Sequence, residues 1–238
     1  MKSNSKLFIM TIVLGSLFIG LLSYVPVQSS SAQSTGLSAL KNIPGYSLFE
    51  ETLDDKAGAS IAAIGTPDYR IIDKAVIAKS ANNVQAVLQA HGHIPTNGDG
   101  GAFGYGILTT QGLNAVMVST THKGVYDSED QRNANDPKWH NHYVSLADVP
   151  GDPCGSNPAV TSITFQSPGE VVVNKNKAVM SNLPAKFTGT SPPPDVHRVT
   201  LNPGTNVQDI VSFTLEPTGN SVCVTNIKHI DQDDIIKN

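Results

Sequence analysis

Histidines are concentrated in one part of this chain. Five of the seven lie between positions 91 and 142. They form two His-x-His pairs, His91 with His93 and His140 with His142, and His122 stands alone between the pairs. Residues i and i+2 of a β-strand point to the same side, so each pair on a strand would present two imidazoles together. Neutral imidazole binds zinc, copper, iron and nickel, so the spacing predicts a transition-metal site.

Two stretches place histidines on the same side as apolar residues. His122 lies in phase with the valines of an alternating stretch at 114–122. His140 and His142 lie in phase with the apolar residues of 139–146. An imidazole on an apolar face is buried, and a buried polar ring needs a partner. A shared zinc or copper ion would satisfy three rings at once, so these three histidines are the preferred ligands.

The first His-x-His pair has two interpretations. His91 or His93 can supply a fourth metal ligand beside the other three histidines. Alternatively, His91 ends a helix predicted over Ser80–His91, where its ring would interact favourably with the helix dipole. In that case His93 belongs to the loop before Pro95.

Acidic residues near the histidines are candidates for supporting roles. Asp127 and Glu129 follow His122 closely enough to act as a general base on a metal-bound water. A zinc site with an open position lowers the pKa of that water to about 7. Asp127, Glu129, Asp99 and Asp136 are also candidates for the carboxylates that orient metal-binding histidines.

The first residues predict export. Lys2 and Lys6 precede an apolar run at 7–25, and the small-x-small sequence Ser30-Ser31-Ala32 follows. This order is typical of a secretory signal peptide over residues 1–32. The apolar run is long enough that an uncleaved membrane anchor is the alternative. In both cases the domain is expected to be secreted, extracellular or at the cell surface.

Composition limits the partners. The net charge is −4, only 15% of the residues are charged, and the sequence contains no basic patch. A nucleic-acid partner is therefore not expected. Membrane contact is expected only through an uncleaved N-terminal segment, and other partners are not predicted.

The two cysteines, Cys154 and Cys223, are expected to form a disulfide, because paired cysteines are the rule in exported proteins. Cys154 lies in a turn-rich stretch, which suits a structural crosslink. The alternative is that the thiolates join the histidines as metal ligands.

Short alternating segments separated by turns dominate the chain from Phe103 onward. Hairpin turns are predicted at 174–177 and at 217–220. Short strands at regular spacing with such turns are typical of an antiparallel β-sandwich or barrel. The sequence therefore predicts a mainly β domain with one or two short helices.

The domain organisation follows from these segments. Residues 33–45 are rich in serine and glycine and are expected to be a flexible lead-in. A single β-rich domain is predicted over 46–230, although 46–72 has no clear pattern. The acidic tail, 231–238, is expected to fray.

Two functional classes remain. The first is an exported protein with a histidine-based zinc or copper site, acting as a metal-dependent hydrolase or a redox protein. The second is a non-catalytic extracellular binding or structural module in which the histidines are structural. In that second class Tyr126 and Trp139 are the candidate contact residues. A β-fold alone does not distinguish these classes.

Overall fold

The computed structural model describes residues 65–149, 151 and 153–238. The predicted signal peptide at 1–32 and lead-in at 33–45 lie outside the described residues. Within the described ranges, no helix is long and apolar enough to cross a membrane.

The described residues form thirteen β-strands and three short 3₁₀ helices, without an α-helix among them. The prediction of a mainly β, largely antiparallel fold is confirmed. The strands are β1 (Ile72–Lys79), β2 (Asn83–Ala90), β3 (Phe103–Thr109), β4 (Val116–Thr121), β5 (His140–Ala147), β6 (Ala159–Ile163), β7 (Glu170–Asn174), β8 (Lys177–Pro184), β9 (Phe187–Thr190), β10 (Arg198–Leu201), β11 (Val207–Thr218), β12 (Ser221–His229) and β13 (Ile235–Lys237). The 3₁₀ helices are Asp68–Arg70, Gly112–Asn114 and Gln232–Asp234.

Six strands close into a barrel in the order β11-β12-β6-β5-β4-β3, and β3 pairs with β11 to complete it. Side chains alternate between the interior and the exterior along each strand. On β3, Gly106 and Leu108 face inward. A Cβ added at Gly104 would lie 2.3 Å from the carbonyl oxygen of Ser119 and 2.8 Å from the ring of Phe213. Glycine at this position therefore allows the phenylalanine ring to fill the adjacent part of the interior.

A five-stranded sheet in the order β13-β1-β2-β8-β7 packs against the outer faces of β3, β4 and β5. The core between the two layers contains the fully buried side chains of Tyr105, Met117 and Tyr143. Trp139 stacks on Tyr105 in this core, and its Nε1–H donates to the carbonyl of Pro95. The prediction that Trp139 is an exposed contact residue is therefore wrong.

The predicted helix over Ser80–His91 is also wrong, because residues 83–90 form strand β2. β2 lies between β1 and β8, and Val84, Ala86, Leu88 and Ala90 form its core face. Val87 adds an apolar residue to the opposite face, so Val84, Val87 and Leu88 also fit a helical spacing. Pairing on both sides outweighs the helix propensity of its alanine, leucine and glutamine residues. Ser80 does not cap a helix; its Oγ accepts hydrogen bonds from the backbone of Asn82 and Asn83 in the β1–β2 turn.

The acidic tail does not fray as expected. Ile235–Lys237 forms β13, which pairs in parallel with β1. Ile235 is buried in the core, and this apolar contact fixes the end of the chain against the sheet.

The predicted disulfide between Cys154 and Cys223 is confirmed. It lies beside the weakest seam of the barrel, where β12 pairs with β6 only through Cys223 and Ala159. Both sulfur-bearing residues pack with Ala159 in a small buried cluster. The crosslink therefore ties β12 to the segment that leads into β6, beside two barrel strands with a single registered residue pair.

Candidate metal centre

The barrel strands β4 and β5 bring three of the predicted histidines to one end of the barrel. His140 and His142 lie at the start of β5, and His142 pairs with Val118 of β4. His122 follows the last residue of β4 directly. Because β4 and β5 are antiparallel, the end of one strand meets the start of the other. All three side chains are buried.

The loop between these strands supplies a carboxylate. Asp127 Oδ2 lies 3.2 Å from His122 Nε2 and 3.6 Å from His142 Nε2, and Asp127 Oδ1 lies 3.4 Å from His140 Nε2. One nitrogen or oxygen from each of the four residues lies within 4.8 Å of all the others. Ligands of a tetrahedral zinc ion with bonds near 2.0–2.1 Å are about 3.3 Å apart. The carboxylate–imidazole spacing therefore matches that of atoms sharing one ion.

Backbone carbonyls fix the orientation of two of the rings. His140 Nδ1 donates to the carbonyl of Lys138 at 2.7 Å, and His142 Nδ1 donates to that of Thr164 at 2.6 Å. A carbonyl only accepts, so each Nδ1 carries the proton. Whenever such a ring is neutral, its Nε2 presents a lone pair toward Asp127. This arrangement is typical of metal-binding histidines, whose second nitrogen is held by a backbone or carboxylate oxygen.

Several of the converging atoms have no hydrogen-bond partner. Among the described residues, no hydrogen-bond partner satisfies the buried Nε2 atoms of His140 and His142, Asp127 Oδ1, or either ring nitrogen of His122. Lone pairs on imidazoles and a carboxylate repel one another when no proton or cation lies between them. Leaving such groups unsatisfied in a buried site costs free energy, and a cation would satisfy one nitrogen of each ring and the carboxylate together.

The electrostatics of the group favour a neutral imidazole beside an ionised carboxylate. Burial lowers the pKa of His140, and the Asp127 carboxylate opposes this only in part. Burial alone would raise the pKa of Asp127, but the three histidines outweigh it and hold that pKa well below its usual range. A negative carboxylate and neutral imidazoles are the protonation states that metal binding requires.

Gln131 holds the loop that carries Asp127. Its buried side-chain oxygen accepts hydrogen bonds from the backbone N–H groups of Asp127 and Ser128. Its amide nitrogen donates to the carbonyls of Val125 and Asp136. Gln131 is therefore a positioning residue, because it fixes the backbone on both sides of the carboxylate.

The structure does not bring every predicted residue into this group. His91 is exposed and contacts Asp73, with its Nδ1 3.3 Å from the carboxylate. His93 is exposed, and Glu129 is exposed beside the backbone N–H of Ser167. None of the three belongs to the group of converging ligand atoms found among the described residues.

The other two candidate carboxylates have structural roles. Asp136 accepts hydrogen bonds from Arg132, through both its backbone and its guanidinium, and from the backbone of Lys138. Asp99 is exposed and bonds with Asn97 in a turn. Asp127, predicted as a base or an orienting carboxylate, instead lies in direct contact with all three histidines.

The kind of metal that this group suits is inferred from its ligand atoms alone. Comparisons of the chain with protein-family models, with curated proteins and with solved structures find no match. Three imidazole nitrogens and one carboxylate oxygen suit borderline transition metals such as zinc, copper, iron and nickel. The group of His122, Asp127, His140 and His142 could therefore hold a transition-metal ion.

The buried His140 predicts acid sensitivity of the metal-free protein. Its pKa is lowered from an ordinary value of 6.5, so below that pH the unfolded ring gains a proton before the folded ring does. The free energy of unfolding should then fall as the pH is lowered from 7.5 to 5.5. Asp127 does not add to the loss of stability between pH 7.5 and 5.5. Its lowered pKa stabilises the folded protein at every pH above the ordinary carboxyl pKa of 3.8, and this stabilisation is lost only below that pH.

Urea unfolding at the two pH values, with chelator present, measures this effect. The fall should be smaller in His140→Gln than in the wild type. The matched control is His93→Gln at an exposed position, which should keep the wild-type fall. If the free energy of unfolding falls equally in all three proteins, the acid sensitivity does not come from His140.

Proposed function

We propose that this protein is an exported metal-dependent protein that binds zinc or copper through His122, Asp127, His140 and His142. The observation that carries the proposal is the convergence of three imidazoles and one carboxylate whose buried nitrogen and oxygen atoms largely lack hydrogen-bond partners among the described residues. The disulfide supports export, because such bonds persist in oxidising compartments. The alternative is an extracellular module whose histidines are only structural.

The position of the group favours a catalytic role over a purely structural one. Asp127 and His142 also line a large cavity in the barrel interior, so a molecule in the cavity would meet the metal. Bound zinc would supply an activated water for hydrolysis, and bound copper would supply one-electron chemistry. The apolar wall of the barrel would exclude bulk water from the reacting groups.

Asp127 is proposed as a ligand and not as the general base. A base that activates water must leave room for that water, whereas this carboxylate contacts all three imidazoles at 3.2–3.6 Å. With four protein ligands, a further position for substrate requires a coordination number above four. Copper accommodates five or more ligands, and zinc expands to five in some catalytic sites.

Substituting Asp127→Asn tests this assignment. Metal affinity should fall by at least about tenfold, because the change removes the only negative charge among the four ligands. Competition with a chromophoric chelator measures the affinity. The matched control is Glu129→Gln, which removes an exposed carboxylate from the same loop and should leave the affinity unchanged. Unchanged metal affinity in Asp127→Asn would contradict the assignment of Asp127 as a ligand.

Metal analysis of the protein produced without a histidine tag tests the proposal as a whole. The protein is stripped, offered zinc and copper in turn, desalted and analysed by mass spectrometry for bound metal. One zinc or one copper ion per chain is expected. Retention of neither metal would leave the structural-module alternative.

A further inference from the structure

The barrel interior holds a cavity of about 680 Å³ that opens to solvent. This volume lies within the range of sites that bind small organic molecules. The inward-facing side chains that form its wall are almost all aliphatic or aromatic, and they include Val118, Val144, Val211 and Phe213. A ligand that fills this space would bury an apolar body.

The exposed apolar residues of the protein cluster around the same cavity. Seven large apolar side chains are exposed among the described residues, and five of them line the cavity. They are Leu113, Val125, Tyr126, Val222 and Ile227. Exposed apolar residues gathered at one concave surface are typical of a binding site, because a ligand removes them from water.

Two carboxylates line the cavity, Asp127 in the metal centre and Asp195, which is exposed in the loop before β10. Thr120, Asp127 and His142 lie at the end of the barrel that holds the metal centre. Neither lysine nor arginine occurs among the described residues that line the cavity. The other two lining histidines are already bonded, His197 to Ser191 and His229 to Asp209. A bound divalent ion would therefore be the cation that an anionic ligand meets.

Charge balance then selects the ligand. Three neutral imidazoles, one carboxylate and one divalent ion carry a net charge of about +1. A single negative group on the ligand would neutralise this charge, and an oxygen donor would occupy the further coordination position. An unpaired charge next to an apolar wall is costly, so a monoanion is favoured over a dianion or a neutral molecule.

We propose that the barrel cavity binds a small amphiphile whose apolar body fills the barrel and whose one carboxylate coordinates the metal. The proposal rests on the proposed function, because the metal supplies the positive charge. The carboxylate binds at the end that holds Asp127 and His142, and the apolar body extends past Val144 toward Leu108. The substrate of a metal-dependent reaction at this centre would belong to the same chemical class.

Calorimetry with two probes of equal length tests the proposal. Dodecanoate and dodecanol are titrated into desalted zinc-loaded protein and into metal-free protein. Dodecanoate should bind the loaded form at least about tenfold more tightly than the metal-free form, in which Asp127 repels it. Dodecanol should bind both forms alike, because only the apolar body contributes.

A cavity-blocking variant separates the cavity from the metal. Leu108→Trp places a large ring in the interior away from the ligands, so both probes should lose binding while one zinc ion per chain is retained. Val149→Trp adds the same ring at an exposed position outside the cavity lining and should bind as the wild type does.

Three outcomes would overturn the proposal. If zinc binds but neither probe does, the ligand class is wrong and the metal centre stands. If dodecanoate binds loaded and metal-free protein equally, its carboxylate does not meet the metal. If zinc does not bind at all, the proposed function fails as well, and dodecanol binding then shows only an apolar pocket.

Discussion

Replacing His140 and His142 together with alanine is expected to abolish stoichiometric metal binding. The two rings supply half of the proposed ligands, and the remaining His122 and Asp127 are too few to hold zinc or copper against a chelator. The loss should exceed about a hundredfold in affinity, since removing a residue that only supports a ligand already costs 10- to 100-fold. Mass spectrometry after desalting measures how much metal each chain retains.

The matched control for this variant is His91→Ala with His93→Ala. This pair has the same spacing and the same residue types, but both rings are exposed and lie outside the group. The control should retain one metal ion per chain. Equal metal content in the two double variants would show that the buried rings are structural.

Removing the disulfide is expected to produce the largest loss of stability. The crosslink between Cys154 and Cys223 closes a loop with a sequence separation of 69 residues. Chain-entropy arguments give roughly 4 kcal/mol for a loop of this size. The variant with both cysteines replaced by alanine should therefore unfold at lower urea, since β6 and β12 share little backbone pairing.

Urea unfolding with and without reducing agent checks this prediction. Reductant should destabilise the wild type by a similar amount and leave the double variant unchanged. Metal binding should persist in the folded variant, because neither cysteine belongs to the histidine group. Unfolding curves that coincide for the wild type and the variant would contradict the role assigned to the seam.

The sequence predicts the barrel strands well because most of them have one face inside the barrel. On β3 the alternation of Phe103 and Tyr105 with glycine is visible directly in the residues. The same period-two alternation along β5 places His142 with Val144 on the face that points into the barrel. β2 is the exception, because Val87 lies on the face that otherwise carries Asn83, Gln85 and Gln89. Val84, Val87 and Leu88 then fit a helical spacing as well as the alternation of a strand.

The histidine group is predictable only in part. The period-two pattern identifies His122, His140 and His142, because their burial follows from neighbouring apolar residues. The role of Asp127 does not follow from the sequence, because it depends on the path of an 18-residue loop fixed by Gln131. The exposure of His91 and His93 likewise depends on the strand that replaces the predicted helix.

X-ray absorption spectroscopy of tag-free protein carrying one zinc or copper ion per chain tests the central claim most directly. Three imidazole nitrogens and one carboxylate oxygen at about 2.0–2.2 Å are the predicted first coordination shell. The multiple-scattering signature of the rings should disappear when His140 and His142 are replaced. A shell dominated by water oxygens, or protein that retains no metal, would contradict the account.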